Sequence, residues 1–197
     1  MDVNANLVKE LRELSGCGFM DCKAALVATG GDLQAAADFL RKKGVSSAAK
    51  KSHRSTGEGL VESYIHPGGK VGVLIEVNCE TDFVARTDAF KTLVRDLAMQ
   101  IAAACPISVS PEEVPAELIA KEREILSEQA KASGKPEKII EKMVEGRIQK
   151  YYEEVCLLEQ KFVKEQDRPV KEIINDAIAK LGENIRVRRF ARFQLGK

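Results

Sequence analysis

The sequence predicts an α+β protein: an N-terminal three-helix bundle, then a core of helices packed on a small antiparallel sheet. Three observations carry this. Apolar residues recur at helical spacing through residues 1–44, the composition shifts at 45–57, and alternating apolar residues flank a tight turn near residue 68. In the bundle, Leu7, Val8, Leu11 and Leu14 mark a first helix that Ser15-Gly16 stops. A second begins near Phe19, carries Cys22, Ala25 and Leu26, and ends at Gly30-Gly31. Asp32 reads as the N-cap of a third, with Ala36, Phe39 and Leu40 inward and Gly44 as its C-cap. Residues 45–57 hold Ser, Ala and basic side chains with nothing large and apolar, so they read as a basic linker with some helical character around Ala48–Lys51.

The remainder, 58–197, reads as the α+β core. LVESYIH and VGVLIEVNC flank Pro67-Gly68-Gly69-Lys70 as a β-hairpin, with Val71, Val73, Ile75, Val77 and Cys79 on one buried face. Phe90, Leu93, Leu97, Ile101 and Cys105 line a helix that Pro106 stops, and Ser110 with Glu113 has capping-box spacing. Two long charged helices follow, about 115–131 and 136–155, each with Pro near its first turn. Val170, Ile173, Ile174, Ala177, Ile178 and Leu181 form another helix, closed by Gly182. A last strand alternates Ile185, Val187, Ala191, Phe193 and Leu195 against Arg186, Arg188, Phe190 and Arg192.

Composition excludes several function classes. Lys plus Arg number 31 against 30 Asp plus Glu, so the chain as a whole is not shaped for nucleic acid or an anionic membrane. No charge-free apolar run approaches the roughly 18 residues of a membrane span. The N-terminal residues carry neither a secretory signal nor a transit peptide pattern, and the five cysteines at irregular spacings read as reduced thiols, so the expected location is the cytoplasm.

Motifs for chemistry are missing. Around Gly69-Lys70, Tyr64 and Val71 stand where a phosphate loop needs Gly and Ser or Thr, and Glu62 breaks the dinucleotide pattern at Gly57 and Gly59. No paired C-x-x-C or H-E-x-x-H occurs, so no metal site and no cofactor are expected. Cys17 and Cys22 read as packing thiols, and Cys79, for which His66 would be the base, reads as a core residue. Nearly all the acids fall on charged helix faces near Lys or Arg. The residues therefore describe a binding protein with no catalytic group, not an enzyme. Two stretches stand apart from plain structure. The basic run 41–54 could hold phosphates or act as a soluble hinge. The segment Glu80-Thr81-Asp82-Phe83-Val84-Ala85-Arg86 places Phe83 and Val84 in a loop, where the ring either tucks under the next helix or is held out as an anchor for a partner.

LVKELRELSGCGFMDCKAAL at 7–26, VNCETDFVAR at 77–86 and GENIRVRRF at 182–190, in this order, resemble three segments of the bacterial translation elongation factor Ts family. Ser15, Cys17 and Phe19 depart from it, standing where members often carry Thr, Ala and Met. The resemblance implies a guanine-nucleotide exchange factor for elongation factor Tu, with a ubiquitin-associated-like N-terminal bundle. It assigns Thr81, Asp82, Phe83 and Val84 to a loop that dislocates Mg²⁺ from the partner, and Leu11, Gly18 and Met20 to a second contact. With one hairpin and one closing strand the chain resembles a short form of the family, and its small sheet implies a homodimer and a two-plus-two complex. Competing expectations are a ubiquitin-associated-like or nucleic-acid-binding module without exchange activity.

Overall fold

The structure is a computed structural model that describes residues 4–132 and 136–197; residues 1–3 and 133–135 of the expected ranges 1–44 and 58–197 lie outside it. In chain order the elements are α1 (Ala5–Ser15), α2 (Phe19–Ala28), α3 (Leu33–Lys51), β1 (Glu58–Ile65), β2 (Val71–Cys79), α4 (Asp82–Ala85), α5 (Asp88–Ala104), α6 (Ala116–Lys131), α7 (Glu137–Val155), β3 (Lys161–Phe162), β4 (Glu165–Pro169), α8 (Val170–Leu181) and β5 (Arg186–Gln194). Three strands form one sheet in the order β1-β2-β5, and β3 pairs antiparallel with β4. The His66 N–H donates to Val71 O at 2.9 Å, closing the expected hairpin, and the Leu195 N–H donates to Lys70 O at 2.9 Å, bringing the end of β5 to the start of β2. The α+β expectation holds.

The chain forms two units of interleaved segments. The first comprises the described residues up to Val61, with Glu76–Val94 and Glu172–Val187. Its three-helix bundle is centred on Val8, Leu11, Cys22, Ala25, Leu26, Ala36 and Leu40. Caps fix the helix ends: Asn4 Oδ1 accepts from Asn6 N at 3.0 Å and Asp32 Oδ1 from Ala35 N at 2.9 Å. Gly16, at φ 65°, closes α1 by donating to Arg12 O.

Gly44 does not cap α3, which continues to Lys51. The buried stripe of α3 is Ala36, Leu40, Gly44 and Ala48 at four-residue spacing, and a Cβ on Gly44 would stand 3.4 Å from the Ala179 Cβ of α8. Gly44 is thus a place where two helices approach closely. Phe39, expected inward, lies off this stripe and is half exposed. Gly59 has a different role: its φ is 148°, and an added Cβ would meet Val77 O at 2.2 Å, so only glycine fits there.

The second unit comprises Glu62–Ile75, the described residues of Arg95–Lys171, and Arg188–Lys197. Within it α6 and α7 form a helical arm around Leu126, Ala130, Val144 and Ile148, with Arg123 bridging Glu145 at 3.0 Å. A parallel bridge between Ser108 and Cys156 closes the base of the arm. The buried amide of Gln100 donates to Gln160 Oε1 and to Lys161 O, each at 3.2 Å, and accepts from Val163 N at 2.8 Å. This network anchors β3, which the sequence pattern did not reveal.

Three local readings need correction. Helix α5 ends at Ala104, and Cys105 is exposed at φ 51°, because the following Pro106 ring disfavours a helical conformation at the residue before it. The capping box at Ser110 does not form: Pro111–Glu113 make a 3-10 turn, and the Ser110 side chain makes no cap bond to it. In β5 the half-buried face changes parity after Val187, so Arg188 and Arg189 are both exposed and Phe193 and Leu195 point to solvent. Arg192 turns inward instead, donating through Nε and Nη2 to Ala102 O at 3.3 and 3.2 Å near the C-terminus of α5.

Candidate functional site

The end of β2 is held by its buried side chains, Val77 and Cys79 being fully shielded. Chain direction then changes at Glu80, and Thr81 N-caps the one-turn helix α4, its hydroxyl accepting from Val84 N at 3.4 Å. Ala85 is buried and fixes the inner side of the turn, so the Phe83 ring is carried outward and is 79% exposed. The ring is not tucked under the following helix. Val84 is half-buried, and Asp82 bridges Arg86 at 2.8 Å, one helical turn on.

Two carboxylates brace this projection: Glu80, which opens the segment singled out in the sequence, and Glu183, which was not singled out there. Glu183 Oε2 accepts from the Glu80 and Thr81 N–H groups, each at 3.0 Å, while Glu183 Oε1 accepts from Thr81 Oγ1 at 2.6 Å. In return Glu80 Oε1 accepts from the Asn184 N–H at 2.7 Å and from Arg54 Nη1 at 3.4 Å. The buried Asn184 amide donates to Ser52 O at 3.3 Å and to Arg54 O at 2.9 Å, securing the segment that follows α3. Gly182, at φ 80°, makes the corner that aims Glu183 and Asn184. The signal available in the sequence was the run Gly182-Glu183-Asn184 directly after a helix, a C-cap followed by two side chains suited to bonding backbone.

The electrostatics of the site are those of a scaffold. Glu80 is held below the ordinary glutamate value, chiefly by the Asn184 N–H and then by Arg54. The Cys79 Sγ–H donates to Thr81 O at 3.1 Å, and burial, with Glu183 nearby, pushes its thiol above the ordinary value. A thiol held in its neutral form is a poor nucleophile. Among the described residues no cluster of His, Cys, Asp and Glu is arranged to hold a metal ion.

The other expected contact residues lie in the bundle. Met20 is exposed, with Phe19 and Leu14 also exposed on the same bundle. Gly18 is the N-cap of α2. Leu11 is fully buried in the bundle core and presents no surface to a partner; it supports the bundle from within.

The basic run 41–54 is largely occupied by contacts inside its own unit. Arg41 bridges Glu172, Lys43 bridges Asp21 at 2.7 Å, Lys51 Nζ reaches Ile178 O at 3.5 Å, and Arg54 bridges Glu80 at 3.4 Å.

Comparison with known proteins points to the same family. Residues 45–197 match the family described as Elongation factor TS. The chain is 61% identical over 195 residues to an Elongation factor Ts from Heliobacterium modesticaldum, covering 99% of this chain and 91% of that protein. It is 57% identical over 197 residues to one from Geobacter sulfurreducens, covering 100% and 91%. Over 195 residues it is 54% identical to one from Desulfosudis oleivorans, covering 99% and 98%.

Proposed function

The chain belongs to the elongation factor Ts family, and from that premise we propose that it is a guanine-nucleotide exchange factor for elongation factor Tu, acting in the cytoplasm during translation elongation. The observation that carries the mechanism is the Phe83 ring, 79% exposed on a one-turn helix whose entry is bonded in place. A GTPase holds GDP through Mg²⁺ and backbone donors around the phosphates. A protein that binds the nucleotide-free, metal-free state better than the GDP·Mg²⁺ state must, by linkage, weaken nucleotide binding by the same factor. No bond is made or broken, so no catalytic group is required. In this reading Thr81, Asp82, Phe83 and Val84 enter the partner near its Mg²⁺ site. Phe83 wedges between side chains there, and Asp82 opposes the arrangement that holds the metal. Met20 and the α2 start at Gly18 supply a second contact, and Leu11 keeps that surface in shape.

The competing nucleic-acid reading is weakened by the ion pairs of Arg41, Lys43 and Arg54, half of the six Lys and Arg side chains of that run. Residues 1–44 serve in this account as an affinity module, 45–57 as the join, and 58–197 as the exchange and dimerisation core. A second copy of the chain is proposed to cover the sheet face that carries Ile65, Leu74, Phe193 and Leu195, giving a two-plus-two complex. All four side chains are exposed, and Ile65 lies against Gly72 of the neighbouring strand. No helix among the described residues is long and apolar enough to cross a membrane.

The experiment is release of labelled GDP from bacterial elongation factor Tu. The chain should speed release, Phe83→Ala should slow that effect, and excess Mg²⁺ should oppose it. Release at the spontaneous rate in the presence of the chain would end the proposal.

A further inference from the structure

The hydrogen bonds around the exposed Phe83 converge on one short corner, Gly182-Glu183-Asn184, over a hundred residues further along the chain. We propose that Glu183 is a positioning residue for exchange: its carboxylate fixes the entry to α4 so that Phe83 is presented in a single orientation. This rests on the exchange reading and deepens it.

The geometry favours a positioning role over mere packing. One carboxylate closes three bonds on two adjacent residues, Glu80 and Thr81, immediately before the helix that carries Phe83. Charge-assisted bonds of this kind are shorter and about twice as strong as neutral ones. The Thr81 hydroxyl donates to Glu183 and accepts from Val84 N, so the bond to the carboxylate polarises the cap of α4. The helix has only four residues and cannot hold its own end by propagation. Remove the carboxylate and two backbone donors, one hydroxyl and the cap lose their common partner. The inner side of α4 is still anchored by buried Ala85, and the corner by Asn184 through Glu80 and through the carbonyls of Ser52 and Arg54. The loop would therefore persist in the folded protein but with its orientation loosened.

An inserted ring gains from being presented in one orientation, because the partner need not order it during insertion. Loss of that order lowers the rate of nucleotide release from the assembled complex, whereas the bundle surface around Met20 is untouched and initial association is kept. The signature is a fall in the release rate at saturation with little change in the concentration giving half that rate. A destabilised protein would instead show a lowered melting temperature, with its maximal rate recovered at higher concentration.

The test uses the full chain with Glu183→Gln, which keeps the side-chain volume but presents one acceptor and one donor group. Glu183→Ala is carried alongside in case the amide re-forms part of the clamp. The chain has no tryptophan, so Phe83→Trp supplies a single fluorescent reporter at the projection. Expected are faster local depolarisation of the Phe83→Trp reporter in at least one Glu183 variant, and in the Phe83 background about a tenfold slower GDP release at saturation with half-saturation changed less than about twofold. Unchanged depolarisation in both variants overturns the proposal, as does a loosened reporter with an unchanged saturating rate. Because the fluorescence needs no partner, it distinguishes the two readings. If the parent chain fails to speed GDP release, the exchange reading falls, and the reporter alone then decides whether Glu183 sets the projection.

Discussion

At the scale of single residues, the site shows how an apolar ring can be kept in solvent by polar groups around it. Phe83 contributes little to the free fold, and the chain entering its one-turn helix is braced by bonds among Glu80, Thr81, Glu183 and Asn184. Glu80 gives this arrangement a pH dependence. Its carboxyl is held below the ordinary value of 4.5, chiefly because the ionised form accepts from Asn184 N–H and faces Arg54. A depressed value in the folded state means that folding favours the ionised form. The corresponding stability is present above the unfolded value and is lost as pH falls through the folded one. Glu80→Gln should therefore lower the melting temperature at pH 6–7, and the gap from the parent chain should close as pH falls below about 4.5. A gap that stayed constant across that range would contradict the role given to the Glu80 charge.

At the scale of elements, most of what periodicity could report was present in the sequence. The bundle core, the hairpin and the amphipathic helices α5 and α8 have their expected places, because each buries one face at a regular spacing. What was not legible has physical causes. The end of α3 differs from expectation because Gly44 suggests a cap by its backbone freedom, whereas it lies inside the helix on the buried stripe that faces Ala179. The face change in β5 coincides with Arg189 and Phe190, which break the alternation of apolar residues. The pattern resumes at Ala191, Phe193 and Leu195 and so does not show that Phe193 and Leu195 are exposed. Of the site, the Thr81–Val84 segment stood out as apolar residues in a loop. The clamp did not, because it depends on a contact between Thr81 and Glu183, 102 positions apart. The proposed affinity role of the bundle has an element-scale consequence. A chain lacking residues 1–44 should remain folded by circular dichroism, exchange weakly, and recover as its concentration rises. Loss of the folded signal would refute the proposed boundary.

At the scale of the whole molecule, partner contacts must cover the surfaces the fold leaves apolar. The sheet face carrying Ile65, Leu74, Phe193 and Leu195 belongs to the same chain as the Phe83 projection, yet its residues have no part in that site. A second copy is its proposed occupant, so light scattering at micromolar concentration should give twice 21.7 kDa. Phe193→Asp should reduce it to the single-chain mass while preserving the melting transition of the monomer. A single-chain mass for the parent protein would contradict the dimer.

The central claim, that an exposed ring performs exchange as a wedge, is a property of the complex and is tested most directly by Phe83→Ala. Release of labelled GDP from elongation factor Tu is measured at saturating exchange factor, alongside a thermal melt of the free variant. Truncating an inserted aromatic anchor should cost about 2 kcal/mol or more. That loss corresponds to roughly thirtyfold slower release. The melting temperature should be kept, because a ring that is 79% exposed contributes little to the free fold. A ring that belonged to the core would behave differently, its loss destabilising the free protein by about 3–5 kcal/mol. Thirtyfold slower release with an unchanged melt is the predicted result; normal release by a stable Phe83→Ala variant would contradict the account outright.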